Sequence, residues 1–156
     1  MITHLNYDFD KELLLQQAEK AKENAVEFSV PKYPHIQFKG WDIGHYTSPY
    51  IEKIMKDFGV IGKPRFYWMA PFVQIPTHTD DGTLCSLNFI LTENAAPITI
   101  GGEQHIYQAV LLDTTVPHSV MNSEHERIML KISIFDKTYE EVDAKIPFKL
   151  PSSTGA

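Results

Sequence analysis

Apolar residues recur at helical spacing near the start of this chain of 156 residues. The stretch from Lys11 to Ala25 has no glycine or proline and is rich in residues that favour helices. Its apolar positions, three and four residues apart, are Leu14, Ala18, Ala21 and Ala25. This spacing predicts a helix with one buried face. A second helix is predicted from Pro49 to Phe58, because proline suits the first turn of a helix and Gly59 suits its end.

The period of the pattern changes to two after residue 63. Short runs of β-branched and aromatic residues follow, separated by turn-forming residues. These runs are Phe66–Met69, Phe72–Ile75, Leu84–Leu91, Ile98–Ile100, His105–Leu112, Ser119–Met121 and Arg127–Phe135. Seven or eight strands with no helix between them predict antiparallel pairing in a sandwich or a barrel.

We expect a single domain with three parts. Residues 1–63 hold the two helices and an irregular connection with short strands around Trp41, and residues 64–135 hold the strand core. Residues 136–156 add a short acidic helical stretch and a frayed polar end.

Two of the predicted strands have one wholly apolar face, which must be covered. In one strand this face contains Cys85, Leu87, Phe89 and Leu91, and in the other Ile128, Leu130, Ile132 and Ile134. We expect the helices to cover these faces. The opposite faces are mixed and carry Ser86 and Asn88 in one strand, and Arg127 and Lys131 in the other. If they are enclosed, they line a site.

Charge and composition narrow the function classes. The formal net charge is −6, and lysine and arginine form no cluster, which argues against a nucleic-acid-binding protein. No apolar run is long enough to cross a bilayer, and residues 1–10 lack the pattern of a signal peptide. The single cysteine, Cys85, fits a reducing compartment. We therefore expect a soluble, cytoplasmic protein that does not bind membranes.

Seven histidines are about twice the number that ordinary usage would give a chain of this length. His78 and Asp80 are two residues apart, so their side chains leave an extended segment on the same side. His118 opens a later strand and can fold back beside them. Two imidazoles and one carboxylate leave other positions of an octahedral metal open, as in non-haem Fe(II) oxygenases. Asp81 is a weaker alternative ligand, since its side chain leaves on the opposite side.

A cation further along the chain can bind the far end of an organic molecule that chelates such a metal. If residues 122–126 form a hairpin, His118 lies opposite Lys131, and Arg127 lies on the order of 13 Å along the strand. This distance suits a five-carbon diacid that chelates the metal with one end and meets Arg127 with the other. Arginine grips a carboxylate with two parallel hydrogen bonds. Lys131, placed near the metal, is the second choice for this role.

These residues carry a family resemblance. His78, Asp80, His118 and Arg127, set among short strands, resemble the pattern of the 2-oxoglutarate and Fe(II)-dependent dioxygenases. The stretch from Leu111 to Leu130, with an asparagine four residues after the histidine and an arginine soon after, looks like the aspartyl/asparaginyl β-hydroxylase branch. Members of that branch can lack the acidic ligand that Asp80 supplies here.

The resemblance implies a fold and a reaction. The fold is a double-stranded β-helix, a cupin-like jelly roll with the helices packed on its larger sheet. The cofactors are Fe(II), 2-oxoglutarate and O2, and the product is a hydroxylated amino-acid or peptidyl side chain of the aspartyl, asparaginyl or prolyl type. Ser86 and Asn88 are candidates for hydrogen bonds to the co-substrate or substrate, or for a structural role. The candidates for the substrate entrance, or for the core, are Arg65, Tyr67 and Trp68.

Two other interpretations stay open. A cupin-like metal-binding module or isomerase without oxidative chemistry shares the Pro117-His118 element, although the two-histidine half of the cupin pattern is absent. A structural jelly-roll protein is the other, since fold alone does not specify function. The remaining histidines are expected in ordinary surface or packing roles, with His105 a possible alternative ligand; the rest are His4, His35, His45 and His125.

Overall fold

The structure, a computed structural model, describes residues 1–30 and 33–151, with the side chains of residues 29–38 left out of the description. The predicted role of the His35 side chain and the predicted fraying of residues 152–156 fall on parts of the chain that the structure does not describe. Three helices are found in this part of the chain: α1 (Lys11–Lys22), α2 (Pro49–Phe58) and α3 (Tyr139–Lys145). Its eleven strands are β1 (Ile2–His4), β2 (Val26–Val30), β3 (Tyr33–His45), β4 (Lys63–Met69), β5 (Gln74–His78), β6 (Cys85–Ile90), β7 (Ile98–Ile100), β8 (Glu103–His105), β9 (Ala109–Leu112), β10 (His118–Met121) and β11 (Arg127–Ile134).

The strands form two antiparallel sheets. The larger sheet has seven strands in the order β1-β9-β6-β11-β4-β3-β2, and the smaller has four in the order β5-β10-β7-β8. Eight of the strands lie between Lys63 and Ile134, with no helix among them. The prediction of antiparallel pairing in a mainly β fold is therefore confirmed.

The first third of the chain contributes strands as well as helices. β1 pairs with β9, and β2 and β3 extend the other edge of the larger sheet. The sequence predicted only short strands here, whereas β3 spans 13 residues. Glycines interrupt its alternating pattern, and Gly40 adopts a positive φ of 81° in the middle of the strand. A Cβ there would lie 2.7 Å from a methyl carbon of Val73, so the site also needs glycine for space.

The predicted hairpin at residues 122–126 is wrong. β10 lies in the smaller sheet and β11 in the larger, so this segment crosses between sheets. His118 pairs with His78, and Lys131 pairs with Asn88 and Arg65. The crossing is held by the side-chain amide of Asn122, which donates to two backbone carbonyls at the end of β4, those of Met69 (3.2 Å) and Ala70 (3.1 Å).

The helices cover the outer face of the larger sheet. Asp10 caps the start of α1, and its carboxylate accepts from the Leu13 N–H (3.0 Å); Ser48 caps the start of α2, and its hydroxyl accepts from the Ile51 N–H (3.2 Å). α1 ends at Lys22, three residues before the predicted end, because β2 starts at Val26. The helices supply Leu14, Ala18, Ala21, Ile51, Ile54 and Phe58 to a core that also contains Cys85, Leu87, Phe89, Leu91, Leu130, Ile132 and Ile134. The predicted apolar faces of the two strands are thus covered as expected.

A second apolar cluster lies between the two sheets. The larger sheet contributes Tyr67, Ile90 and Met129, and the smaller contributes Ile75, Ile98, Ile100 and Val120. This inner space also receives the polar side chains of β4, β6 and β11, and it holds the candidate site. None of the described helices is long and apolar enough to span a membrane.

Candidate functional site

Two histidines face each other across neighbouring strands of the smaller sheet. His78 ends β5, His118 begins β10, and the two residues are register partners. In each ring Nδ1 lies against the backbone carbonyl two residues earlier, that of Pro76 at 2.7 Å and that of Val116 at 2.8 Å. A carbonyl can only accept, so Nδ1 carries the proton. When Nε2 carries no proton it presents a lone pair, the form in which histidine binds metals, whereas a proton on Nε2 lets the ring donate to Asp80 in the metal-free protein.

Asp80 lies between the two imidazoles. Its Oδ1 is 3.3 Å from Nε2 of His78 and 3.2 Å from Nε2 of His118. The three candidate ligand atoms lie within 4.8 Å of one another, and no other such group occurs among the described residues. The backbone N–H of Asp80 donates to the carbonyl of Thr114 (3.0 Å), which fixes the loop after β5. The structure therefore brings together the three residues that the sequence spacing proposed.

Lys131 contacts the other oxygen of the Asp80 carboxylate. Its Nζ is 2.5 Å from Oδ2 of Asp80, and its side chain is buried. Burial alone would raise the pKa of Asp80, but hydrogen bonds from His118 and His78 and the charge of Lys131 hold it well below its usual range. Burial would lower the pKa of Lys131, yet the influence of Tyr67 and Asp80 raises it. Asp80 is thus ionised and already partly neutralised on the side away from the histidines.

A cavity of about 310 Å³ opens beside these residues, between the two sheets. His78, Asp80 and His118 lie in its wall with Lys131 and Arg127. Its apolar wall is formed by Trp41, Tyr67, Met69, Ile75, Ile98, Leu112, Val120 and Met129. Such a mainly apolar cavity with a few convergent charges is typical of a small-molecule site.

Arg127 is a buried cation in the wall of this cavity. Only 1% of it is exposed, and its guanidinium donates to the carbonyl of Ala96 (2.5 Å) and to the hydroxyl of Tyr107 (2.8 Å). Its Nε has no hydrogen-bond partner, and no carboxylate of the described residues lies within 4 Å of it. Because a buried charge is costly without an opposite charge, this end of the cavity is suited to an anion.

Tyr107 was missed by the sequence reasoning. It follows β8 by two residues, lines the cavity and is 6% exposed. No sequence spacing indicates a role for Tyr107, because only tertiary packing brings its hydroxyl to Arg127.

The other predicted site residues are placed differently. Asn88 lines the cavity, whereas Ser86 is fully buried and donates its hydroxyl to Oδ1 of Asn88 (2.8 Å). Arg65 and Tyr67 line the cavity, while Trp68 packs in the core beneath the helices.

The remaining histidines lie elsewhere. His105 lies on β8 with its Nε2 3.7 Å from Glu103, and its ring is 5.6 Å from that of His4. His125 and His45 are exposed. None of these belongs to the triad of ligand atoms, so the alternative ligand role considered for His105 is not supported by the geometry.

Comparison with solved structures finds chains of the same fold. A prolyl hydroxylase from Trichoplax adhaerens, solved with a hypoxia inducible factor oxygen degradation domain peptide fragment, superposes with a TM-score of 0.69 at 13% identity, over 92% of this chain and 85% of that one. A prolyl-4-hydroxylase from Pseudomonas putida gives 0.59 at 15% identity, over 81% and 86%. An oxidoreductase of the 2OG-Fe(II) oxygenase family from Burkholderia pseudomallei gives 0.57 at 12% identity, over 83% and 82%. No protein-family model and no curated protein sequence matches the chain.

At these identities the likeness shows the fold: this chain shares the jelly-roll architecture of 2-oxoglutarate and Fe(II)-dependent oxygenases. The aspartyl/asparaginyl β-hydroxylase branch is not among these neighbours.

Proposed function

We propose that the chain is an Fe(II)- and 2-oxoglutarate-dependent oxygenase that hydroxylates an amino-acid or peptidyl side chain. The observation that carries this proposal is the grouping of His78, Asp80 and His118 on the wall of a cavity that also contains the buried Arg127. The fold shared with prolyl hydroxylases supports it.

The donor set fits Fe(II). Two imidazole nitrogens and one carboxylate oxygen are the ligands of the facial triad, which leaves other metal positions open. The backbone carbonyls that accept from Nδ1 of His78 and His118 orient both rings toward the shared carboxylate oxygen. Lys131 binds the second oxygen of Asp80, which would leave Oδ1 as the ligand atom for a metal.

The cavity fits 2-oxoglutarate. In our proposal Arg127 and Tyr107 bind the carboxylate remote from the metal, whereas Asn88, the register partner of Lys131, offers an amide toward the other end of the cavity. Arg127 and Lys131 are four residues apart on one face of β11, which is on the order of 13 Å between their Cα atoms. When bound, Fe(II) and 2-oxoglutarate supply the oxidising power that replaces a C–H hydrogen with a hydroxyl group from O2. The chain orients both ligands, and its apolar wall excludes water.

Either a free amino acid or a peptide could present the C–H bond. The Trichoplax adhaerens neighbour was solved with a peptide fragment, which supports testing peptides beside free amino acids.

The first test is anaerobic titration of the metal-free protein with Fe(II) and then 2-oxoglutarate. We expect a weak visible charge-transfer band, and slow succinate release once air is admitted. His78→Ala and Asp80→Ala should lose iron binding, whereas His125→Ala, a histidine in an exposed segment, should retain it.

Wild-type iron affinity in either His78→Ala or Asp80→Ala would contradict the triad. Iron binding without 2-oxoglutarate binding in the wild-type protein would instead favour the cupin-like metal-binding module.

A further inference from the structure

The cavity wall contains a third cation, beside Arg127 and Lys131, that the proposed cofactors do not use. Arg65, on β4, lies in the wall beside Lys131, its register partner on β11. Like charges directly opposite each other on neighbouring strands destabilise a sheet. Asp80 offsets the charge of Lys131, but no carboxylate of the described residues lies within 4 Å of Arg65.

The hydrogen bonds of Arg65 are also incomplete. Nη2 donates to the hydroxyl of Ser133 at 3.3 Å, a long contact to a neutral group, and the buried Nε has no hydrogen-bond partner. The guanidinium carbon is 5.5 Å from the centre of the Tyr67 ring. The guanidinium is therefore positioned by its neighbours while part of its donor set stays unused.

Arg65 and Arg127 lie at different levels of the same wall. Arg127 pairs with Met69, Met129 pairs with Tyr67, and Lys131 pairs with Arg65. Arg127 is 1% exposed, whereas Arg65 is partly exposed. Arg127 thus lies buried at one end of the wall. The more accessible Arg65 lies toward the other end, which adjoins Lys131 and Asp80.

We propose that Arg65 binds a carboxylate of the primary substrate, so that the substrate is an acidic compound held beside the triad. This inference rests on the proposed oxygenase function. The planar guanidinium matches a carboxylate with two parallel hydrogen bonds. The carboxylate is either the α-carboxylate of a free amino acid or the side chain of an aspartate or glutamate in a peptide.

The test compares acids with their amides. Protein loaded with Fe(II) and saturating 2-oxoglutarate under argon is titrated calorimetrically with two sets of probes. One set pairs free L-amino acids with the corresponding amino-acid amides. The other pairs N-acetylated, C-amidated peptides containing aspartate or glutamate with the same peptides containing asparagine or glutamine. We expect at least one acid to bind roughly ten- to a hundredfold more tightly than its amide.

The set in which this preference occurs identifies the source of the carboxylate. If no acid in either set binds more tightly than its amide, the proposal is wrong, whatever any variant does.

The variants test Arg65 itself. Arg65→Gln should abolish the preference for the acid, and Arg65→Lys should restore part of it because the charge is kept. Lys63→Gln, an exposed cation on the same strand, should leave the preference unchanged. An Arg65→Gln protein that still prefers the acid would overturn the assignment.

Failure of the oxygenase function gives a different result. In that case the charge-transfer band with Fe(II) and 2-oxoglutarate does not form. The acid-to-amide comparison can still be made on the metal-free protein, since Arg65 requires no metal.

Discussion

The hydroxyl of Tyr107 contacts the buried Arg127 and can also donate a hydrogen bond to a ligand. Its hydroxyl accepts from Arg127 at 2.8 Å, so its own proton remains available for a bound carboxylate. Tyr107→Phe should therefore weaken 2-oxoglutarate binding roughly fivefold, the effect of one hydrogen bond of about 1 kcal/mol. Arg127→Gln should weaken it much more, because it removes the charge.

Anaerobic titration of the Fe(II) protein with 2-oxoglutarate measures both variants. Tyr46→Phe is the matched control, since Tyr46 packs against Phe66 on the helix side of the larger sheet. Wild-type affinity in Tyr107→Phe would remove Tyr107 from the co-substrate site.

His78 gives the metal-free protein a pH-dependent stability. Burial alone would lower the pKa of His78, but its hydrogen bonds to Asp80 and to the Pro76 carbonyl raise it above the ordinary value of 6.5. The protonated ring therefore stabilises the folded state below pH 6.5, and this contribution is lost as the pH rises through the raised pKa. Asp80 stays ionised throughout this range, because its own pKa is lowered.

Urea unfolding at about pH 6 and about pH 8.5 measures the effect. At the lower pH, the free energy of unfolding of the metal-free wild-type protein should be larger than that of His78→Gln. This difference should be smaller at the higher pH. An equal difference at both pH values would contradict the raised pKa. Iron affinity should change in the opposite direction, since iron needs the neutral ring.

Residue spacing was sufficient to predict that His78 and Asp80 lie together but not what surrounds them. His78 and Asp80 are two apart on an extended segment, and this local geometry survives in the structure. The contact of Lys131 with Asp80 depends on how β11 lies across the sandwich from β5, which no local pattern specifies. The sequence-based prediction put Lys131 near the proposed metal because it assumed a hairpin between β10 and β11, which lie in different sheets.

Individual elements were predicted well because their signals are local. Proline at the first turn and Gly59 at the end define α2 as Pro49–Phe58, the predicted range. Assignment of strands to sheets was less successful, because a period of two indicates a strand without indicating its partner. Thus β10 and β11, adjacent in sequence, lie in different sheets and are held apart by the hydrogen bonds of Asn122.

The start of α2 also connects the two N-terminal helices. The Ser48 hydroxyl accepts from the Ile51 N–H and donates to the side-chain carbonyl of Gln17 in α1 (2.8 Å). Ser48→Ala removes both bonds, so it should lower the free energy of unfolding by about 1 to 2 kcal/mol. Chemical denaturation measures this loss.

Thr47→Ala is the matched control for Ser48→Ala. Thr47 is the exposed residue immediately before the cap, and its truncation should change stability by less than about 0.5 kcal/mol. Equal losses in the two variants would show that the Ser48 cap contributes nothing specific.

At the scale of the whole molecule, the two faces of the larger sheet have separate roles: one stabilises the fold and the other lines the candidate site. Its outer face packs against the helices in an apolar core, and its inner face carries the cations and the amide that line the cavity. Alternation along β6 makes the separation sharp: Leu87 points to the helix side, and its neighbour Asn88 points into the cavity. The apolar face was predictable from sequence, whereas enclosure of the polar face depended on the smaller sheet.

This separation predicts that a core truncation weakens the fold without weakening iron binding. Leu87 is fully buried and is the register partner of Ile132 and Leu111, so Leu87→Ala should cost about 2 to 5 kcal/mol of unfolding free energy. Ile61→Ala, at a side chain that is 82% exposed, should cost less than about 0.5 kcal/mol.

Iron titration of the folded Leu87→Ala protein decides whether the two faces act independently. We expect an affinity within about twofold of the wild type, because effects at sites without shared contacts are nearly additive. The triad lies on the smaller sheet and its loop, across the cavity from the helix-facing core that Leu87 belongs to. A large loss of iron affinity in a protein that is still folded would mean that the packing under the helices positions the triad through the sheet.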